Sequence, residues 1–286
     1  MQPIVYLNGQ FLPLDQAFVP VLDRGFVFGD GIYEVVPVYS RLAFRIEEHL
    51  HRLQHSLDGI RLDNPFSREQ WIELIEELIA RNDGEDQYLY LQLTRGVAKR
   101  DHAFPKEVTP TVFMMSSLLV HPPQALVETG VAAVSVVDNR WDRCDIKAIS
   151  LLPNVLLRQT AVDHQAAEAV MFRDGILTEG SASNIFFVEN GVIMAPPKDN
   201  HMLPGITYDL VLELADAHGM PYEIGKYDQE RVRRADELWM TSSTREVLPI
   251  TQLDGQPINN GKPGPLFKKM YALYQDYKAH VMRRPD

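Results

Sequence analysis

Cysteine is almost absent from this chain: Cys144 is the one such residue among 286. An intrachain disulfide framework is thereby excluded, and so is a zinc site built from cysteines. No apolar run reaches the roughly 20 residues that a bilayer-spanning helix needs. The N-terminus, Met1-Gln2-Pro3-Ile4, lacks the basic-then-apolar layout of a signal peptide. Positive charge is in deficit, with 28 Lys and Arg against 39 Asp and Glu, a net charge of −11. That balance argues against a general nucleic-acid role, because phosphate backbones call for a basic surface. A small anionic substrate would need a local cluster of Arg or His working against the overall field. What remains is a cytoplasmic globular protein with neither a metal centre nor a membrane partner. Its 45% apolar and 23% charged residues exclude disorder and coiled coil. The length suffices for one large domain or two of ordinary size.

What is there reads as interleaved strands and helices. Strands are expected at 4–7 and 11–14 around Asn8-Gly9, at 32–39 and 42–44 around Ser40-Arg41, at 88–94 and at 111–119. Helices are expected over 46–60, with Ile46, Leu50, Leu53 and Leu57 on one face, and over 68–80 after a Ser67 cap. Past the stiff Pro122-Pro123 come strand 131–137, helix 155–168, strand 169–172, a Gly175 turn, and strands 185–188 and 192–195 around Asn190-Gly191. A helix over 208–218 capped by Thr207, a strand at 237–240 and a helix over 265–280 complete the pattern. Interleaving with so many hairpins points to an α+β fold in two lobes rather than a doubly wound parallel sheet. The expected division is an N-terminal α+β domain over 1–120, a linker at 121–123 and a C-terminal domain over 124–286.

Several polar clusters could carry chemistry, and each has a plainer reading. Lys147 lies in Trp141-Asp142-Arg143-Cys144-Asp145-Ile146-Lys147-Ala148-Ile149, between the β-like 131–137 and Leu151-Leu152. An amine between apolar segments loses solvation and becomes a better nucleophile toward a carbonyl. Taken alone, however, a lysine is usually solvated. Arg143 and Asp145 read as a surface ion pair and Cys144 as a packed small side chain. Thr178-Glu179-Gly180-Ser181-Ala182-Ser183-Asn184 precedes an apolar strand. Its small residues would admit a ligand, and a carboxylate at a strand mouth suits a protonated ring nitrogen; the same residues also make a solvated turn. Leu203-Pro204-Gly205-Ile206-Thr207 opens a helix whose free N–H groups suit an anion, or simply caps it. Thr241-Ser242-Ser243-Thr244 offers hydroxyls at a strand end, or a polar turn. His49 and Arg52 share one helix face, which for single residues usually means solvent. Asp23-Arg24-Gly25 and Phe28-Gly29-Asp30-Gly31-Ile32-Tyr33-Glu34 combine turn glycines with the phenol of Tyr33. Arg100 and His102, two apart on a loop, point the same way, as a carboxylate clamp requires, yet singly each is a solvated charge.

Taken in order, these segments match one family from Tyr6-Leu7-Asn8-Gly9 to Leu248-Pro249-Ile250, nearly the full chain. The carriers are Asp23-Arg24-Gly25, Phe28 to Glu34, Glu48-His49-Leu50-His51-Arg52-Leu53, Thr94-Arg95-Gly96, Arg100-Asp101-His102 and Arg143-Cys144-Asp145-Ile146-Lys147. They continue with Thr178-Glu179-Gly180-Ser181, Ser183-Asn184, Gly205-Ile206-Thr207 and Thr241-Ser242. On these residues the sequence resembles the D-amino-acid aminotransferases of the fold-type IV group of pyridoxal 5'-phosphate (PLP) enzymes.

The resemblance implies two lobes with PLP between them and a Lys147, in the C-terminal domain, that carries the cofactor covalently. It implies that Glu179 bonds the pyridine nitrogen and that Arg52, Ile206, Thr207 and Ser243 hold the phosphate. Tyr33, Arg100 and His102 would bind the substrate carboxylate, the last two reaching in from the neighbouring subunit of a homodimer. The reaction would be transamination between a D-amino acid, such as D-alanine or D-glutamate, and a 2-oxo acid, such as 2-oxoglutarate or pyruvate. Ala182 departs from the family's usual Glu-Gly-Ser-Ser-Ser-Asn, removing a hydroxyl worth about 1 kcal/mol as a hydrogen bond. Three rivals remain: a branched-chain L-amino-acid aminotransferase of similar fold, not expected to use the Arg100/His102 clamp; aminodeoxychorismate lyase, which also shares the fold; and a PLP-binding protein without turnover.

Overall fold

The computed structural model describes residues 2–283. Their contacts divide the chain into two units. The first holds the chain up to Val120, the segment Ile146–Leu151 and the residues from Met282; the second holds His121–Asp145 and Leu152–Val281.

The first unit is a six-stranded antiparallel sheet with helices. In chain order it contains β1 (Ile4–Leu7), β2 (Gln10–Pro13), α1 (Arg24–Phe28), β3 (Gly31–Tyr39), β4 (Leu42–Ala43), α2 (Ile46–Gly59), α3 (Arg68–Arg81), β5 (Gln87–Thr94) and β6 (Thr111–Leu118). The strands lie in the order β2-β1-β6-β5-β3-β4. Leu53 and Leu57 of α2 and Trp71, Ile75 and Leu78 of α3 form one core with Val36, Val38, Leu89, Leu91 and Leu93 of the sheet. The α3 start is a reciprocal cap: Gln70 N–H donates to Ser67 Oγ at 3.3 Å, and Ser67 N–H donates to Gln70 Oε1 at 2.8 Å. Residues 23–29, expected as turns, contain a short helix instead. Asp23 Oδ1 caps α1 by accepting from Gly25 N–H at 2.7 Å, and Gly29 ends it with φ of 68°.

Two boundary expectations need correction. Ile146 and Ala148 join the core of the first unit, so Lys147 between them belongs to that unit and not to the C-terminal domain. The cause is an open edge. β4 pairs with β3 only at Val38 and Tyr39, leaving the start of β3 unpaired on that side. The lysine segment fills it: Tyr33 N–H donates to the Lys147 carbonyl at 2.9 Å and Ile149 N–H to the Gly31 carbonyl at 3.1 Å. Gly31 is required here, because a Cβ would sit 2.3 Å from the Leu93 carbonyl oxygen. Residues 121–123, expected as a linker, belong to the second unit. There His121 Nδ1 lies 3.2 Å from Glu246 Oε1, and Pro123 is the N-cap of the next helix.

The second unit contains α4 (Gln124–Thr129), β7 (Val131–Val137), α5 (Leu152–Asp163), β8 (Glu168–Arg173), β9 (Ile176–Gly180), β10 (Asn184–Glu189) and β11 (Val192–Ala195). It continues with α6 (Ile206–Ala217), β12 (Tyr222–Ile224), α7 (Gln229–Arg233), β13 (Glu237–Ser242), β14 (Glu246–Leu253), β15 (Gln256–Pro257) and α8 (Pro265–Tyr277). The sheet runs β12-β11-β10-β13-β14-β7-β8-β9, with β15 added to β14. The pairs β7–β8, β7–β14 and β11–β12 are parallel and the rest antiparallel. β8, β10 and β13 are buried on both faces almost throughout, which explains their continuous apolar runs. α5 stops at Asp163 rather than 168, because Gln165 takes φ of 57° and turns the chain into β8. α6 starts at Ile206 with Gly205 as its N-cap, not at 208 behind Thr207. Among the described residues no helix is long and apolar enough to cross a membrane.

Candidate active site

Lys147 is held by its backbone and left open at its tip. Its N–H donates to Ser56 Oγ at 3.1 Å, its carbonyl is taken by Tyr33, and its neighbours Ile146 and Ala148 are buried. The ammonium lies 4.1 Å from the centroid of the Tyr33 ring. Such a contact is worth about 0.5–2 kcal/mol and holds the amine without neutralising it. Among the described residues no carboxylate pairs with Lys147. Tyr33 in turn stacks on Tyr90, centroids 5.7 Å apart. Burial first, and Tyr33 second, push the Tyr90 hydroxyl up to about 12, so it stays protonated and donates to Gln92 Oε1 at 2.7 Å.

Next to Tyr33 on β3, Glu34 organises the buried face of α2. Arg52 donates to it through Nε and Nη2, both at 2.8 Å, and His49 Nδ1 lies 2.8 Å from Oε2. All three side chains are buried, where the sequence reading of His49 and Arg52 as solvated residues fails. Burial opposes ionisation of Glu34, but the Arg52 guanidinium and the His49 hydrogen bond hold its carboxyl well below the usual range. Burial also pushes His49 down, against the pull of Glu34. His49 is therefore a neutral donor, and the charge on Glu34 is balanced by Arg52. Nε2 of His49 is buried with no hydrogen-bond partner.

Arg100 and His102 sit on an exposed loop and flank one aromatic ring. The Arg100 guanidinium carbon is 5.4 Å from the Phe28 centroid, and the His102 ring centroid is also 5.4 Å from it. The loop is tied down from beneath. Arg24 donates to the carbonyls of Asp101 (2.6 Å) and Ala103 (3.4 Å), and Arg95 lies 3.7 Å from the Phe104 centroid. Both arginines meet on Asp30, at 2.7 Å from Arg24 and 2.8 Å from Arg95. Burial works against the charge on Asp30, but Arg95 and Arg24 outweigh it and hold its carboxyl below the ordinary value.

In the second unit Glu179 is buried on β9, one residue before the strand ends. Arg140 Nη1 donates to its Oε1 at 2.5 Å, Asn184 Nδ2 to its Oε2 at 3.3 Å, and Leu203 N–H reaches both oxygens at 3.2 Å. Burial nevertheless dominates and pushes the carboxyl up to about 7. Asn184 also donates to the Leu203 carbonyl at 3.0 Å and occupies the space a Cβ at Gly205 would need, 2.0 Å from Oδ1. Glu179 and the α6 N-terminus are thus held by the same amide. No side chain caps α6, so Ile206 and Thr207, both buried, open the helix with N–H groups available to an anion. Asn184 pairs in register with Thr241 of β13, whose buried hydroxyl has no partner. Ser243 lies in the turn that follows. Ala182, the departure from the family pattern, is exposed between buried Ser181 and Ser183.

The structure therefore gathers the expected residues into groups. Lys147, Tyr33 and Arg52 cluster around β3, Arg100 and His102 share Phe28, and Glu179 lies with the start of α6. It also adds residues the sequence did not single out for a role: Glu34, Ser56, Tyr90, Asp138 and Arg140. Asn184 stood inside a noted motif, but Arg140 is 39 positions from Glu179 and carried no sequence signal.

Residues 31–253 match the amino-transferase class IV family. A D-alanine aminotransferase of Staphylococcus aureus is 40% identical over 274 residues, 96% of this chain and 97% of that protein. One from Bacillus licheniformis is 39% identical over 272 residues, 95% of this chain and 96% of the other. Among solved structures, a branched-chain amino acid aminotransferase of T.th. with pyridoxamine 5'-phosphate has a TM-score of 0.91 at 26% identity, covering 100% of this chain and 96% of that one. A branched-chain aminotransferase of Thermoproteus uzoniensis with norvaline has a TM-score of 0.87 at 26% identity, covering 96% and 93%.

Proposed function

The chain belongs to the class IV aminotransferases, and from that premise we propose that it is a PLP-dependent transaminase acting between a D-amino acid and a 2-oxo acid. D-alanine or D-glutamate on one side and pyruvate or 2-oxoglutarate on the other are the expected pairs. The observation that carries the reading is Lys147: an amine on a core-anchored backbone, resting on the Tyr33 ring with no carboxylate partner among the described residues. The residues present fit the cofactor. An unpaired amine suits its aldehyde, a buried carboxylate its ring nitrogen, and an uncapped helix start with the unpartnered Thr241 hydroxyl its phosphate.

When bound, PLP supplies an aldehyde for amine exchange and a ring that draws electrons from the substrate. Lys147 would hold it through Nζ. As a free amine the same Nζ would take the Cα proton of the substrate and later return a proton, so one lysine would serve as nucleophile and as acid and base. Glu179 is assigned to the ring nitrogen. Arg52, with Ile206, Thr207 and Ser243, is assigned to the phosphate, its guanidinium oriented by Glu34. Tyr33, Arg100 and His102 take the substrate carboxylate. Fixing the carboxylate decides which enantiomer turns its Cα–H toward Lys147.

We place the protein in the cytoplasm and read its working form as a homodimer. Phe18, Val21, Phe26 and Val97 are large apolar residues exposed on the first unit, and Val97 bridges Asp23 close to the Arg100 loop. We assign the subunit contact to these exposed apolar side chains. Sedimentation of wild type and Phe26→Asp tests it: the variant should shift toward monomer.

The test of function is a half-reaction screen. PLP-loaded enzyme is mixed with single amino acids and no acceptor, and the cofactor absorbance is followed. D-Alanine should react and L-leucine should not; the reverse supports the branched-chain L-enzyme. Pyruvate released from aminodeoxychorismate without an acceptor would indicate the lyase instead. No turnover of any substrate would leave a PLP-binding protein.

A further inference from the structure

Arg140 follows β7 in a loop that also carries Asp138, and its guanidinium is committed on every side. Nε donates to Asp138 Oδ1 and Nη2 to Asp138 Oδ2, both at 2.9 Å; Nη2 also donates to the His201 carbonyl at 3.0 Å. That fork leaves Nη1 aimed at Glu179 Oε1, 2.5 Å away. Asp138 is anchored as well. It accepts from Thr178 Oγ1 at 3.0 Å and from Arg140 N–H at 3.2 Å, and Arg173 Nη2 lies 3.3 Å from it. The pinning strand is therefore the strand of Glu179 itself, since Thr178 precedes Glu179 on β9.

The charged and titratable groups around Glu179 come from three directions. Arg140 and Asp138 face it from the loop after β7, and Cys144 from further along that segment. Arg173 of β8 stands beyond Asp138. Leu203 N–H and Asn184 on β10 contribute dipoles. Arg140 is the positive charge in direct contact among the described residues. A compact ammonium could not serve both Asp138 oxygens and Glu179 at once, whereas a planar guanidinium does.

We propose that Arg140, pinned by Asp138, is a positioning residue that sets the charge of Glu179 and through it the protonation of the ring nitrogen. The proposal rests on the assignment of Glu179 to that nitrogen. Its physical basis is the contest already visible at Glu179: burial lifts the carboxyl to about 7 even with the guanidinium in place. Removing the guanidinium removes the strongest opposing force and leaves a neutral acid at neutral pH. A neutral carboxyl does not hold a positive ring nitrogen, so the ring would draw electrons less strongly.

The first measurement uses the apoprotein and needs no cofactor. The infrared band of a protonated carboxylic acid, assigned to Glu179 by its loss in Glu179→Gln, is titrated in wild type, Arg140→Met and Arg140→Lys. The midpoint should rise by about 1–3 pH units in Arg140→Met and by less in Arg140→Lys. Folding is checked by circular dichroism, and if Arg140→Met does not fold, Arg140→Lys decides alone. A midpoint equal to wild type in the folded variants overturns the proposal. The second measurement is the nitrogen NMR shift of isotope-labelled PLP in the loaded enzyme at about pH 8, where wild-type Glu179 is mostly ionised. The ring nitrogen should lose its proton in Arg140→Met. A moved infrared midpoint with an unmoved ring nitrogen would instead overturn the assignment of Glu179 to the ring, leaving the Arg140–Glu179 coupling intact.

Discussion

Lys147 and Tyr33 grip each other at both ends: the Tyr33 N–H donates to the Lys147 carbonyl at 2.9 Å, and the Tyr33 ring lies 4.1 Å under the Lys147 ammonium. The backbone bond fixes where the lysine leaves the sheet, and the ring fixes where its amine ends. Lys147→Ala should abolish attachment of the cofactor by borohydride to the peptide spanning residue 147, and should slow Cα proton exchange roughly 10²–10⁴-fold or more. Mass mapping of the reduced protein reads the first effect. Attachment at another lysine in wild type would remove Lys147 from its role.

Glu179→Gln keeps the shape of the side chain and removes its charge. Single-turnover proton abstraction should slow at least about tenfold, while cofactor affinity changes less. Equal single-turnover rates in the two proteins would end the idea that Glu179 supports an electron-drawing ring.

Glu34 joins Arg52 and His49 in a buried network, and Arg52 depends on it for orientation. Glu34→Gln removes the charge to which Arg52 Nε and Nη2 both donate, and breaking a buried ion pair from one side costs about 3–5 kcal/mol in unfolding free energy. Urea denaturation measures it. The variant should also release PLP more readily; unchanged stability and unchanged PLP affinity would show that the network is not what positions Arg52.

Acid should weaken the fold through Asp138. Burial works against its ionisation, but Arg140 outweighs burial and holds its carboxyl at about 2, against an ordinary 3.8. A carboxyl depressed by folding contributes stability that is fully present above the unfolded value and is lost as pH falls through the folded one. Its side chain is fully buried, so screening by solvent is small. The advantage of wild type over Asp138→Asn should therefore shrink by about 2 kcal/mol between pH of about 5 and about 2. A constant difference across that range would contradict the ionised Asp138–Arg140 pair.

Local pattern made the hairpins and the helices of the first unit legible. The turn residues Asn8-Gly9 and the Ser67/Gln70 cap act within a few positions, and α2 and α3 carry their apolar faces at helical spacing. α1 was hidden because its segment is rich in glycine and its cap is secured from far away, with Thr111 Oγ1 donating to Asp23 Oδ2 at 2.6 Å. β9 was hidden because Thr178, Glu179 and Gly180 are polar or small, although burial inside the sheet governs them. The return of residues 146–151 to the first unit depends on an open edge of β3, which no local window contains. At the site, the proposals for Lys147, Glu179, Arg100 and His102 rest on joint occurrence of motifs, while each alone looked ordinary. The burial of His49 and Arg52 and the reach of Arg140 to Glu179 follow from long-range pairing and had no local signature.

The direct test of the central claim is stereochemical. Arg100 and His102 flank the Phe28 ring and are proposed to hold the substrate carboxylate that selects the D-enantiomer. Half-reaction rates with D- and L-alanine are to be compared in wild type and Arg100→Ala. Wild type should favour D-alanine, and loss of the charged hydrogen bond, roughly 1.5–3 kcal/mol, should cut the D-alanine rate about tenfold to a hundredfold. Amines without a carboxylate should be far less affected. A wild-type preference for L-alanine, or an Arg100→Ala enzyme with its D-alanine rate intact, would contradict the account.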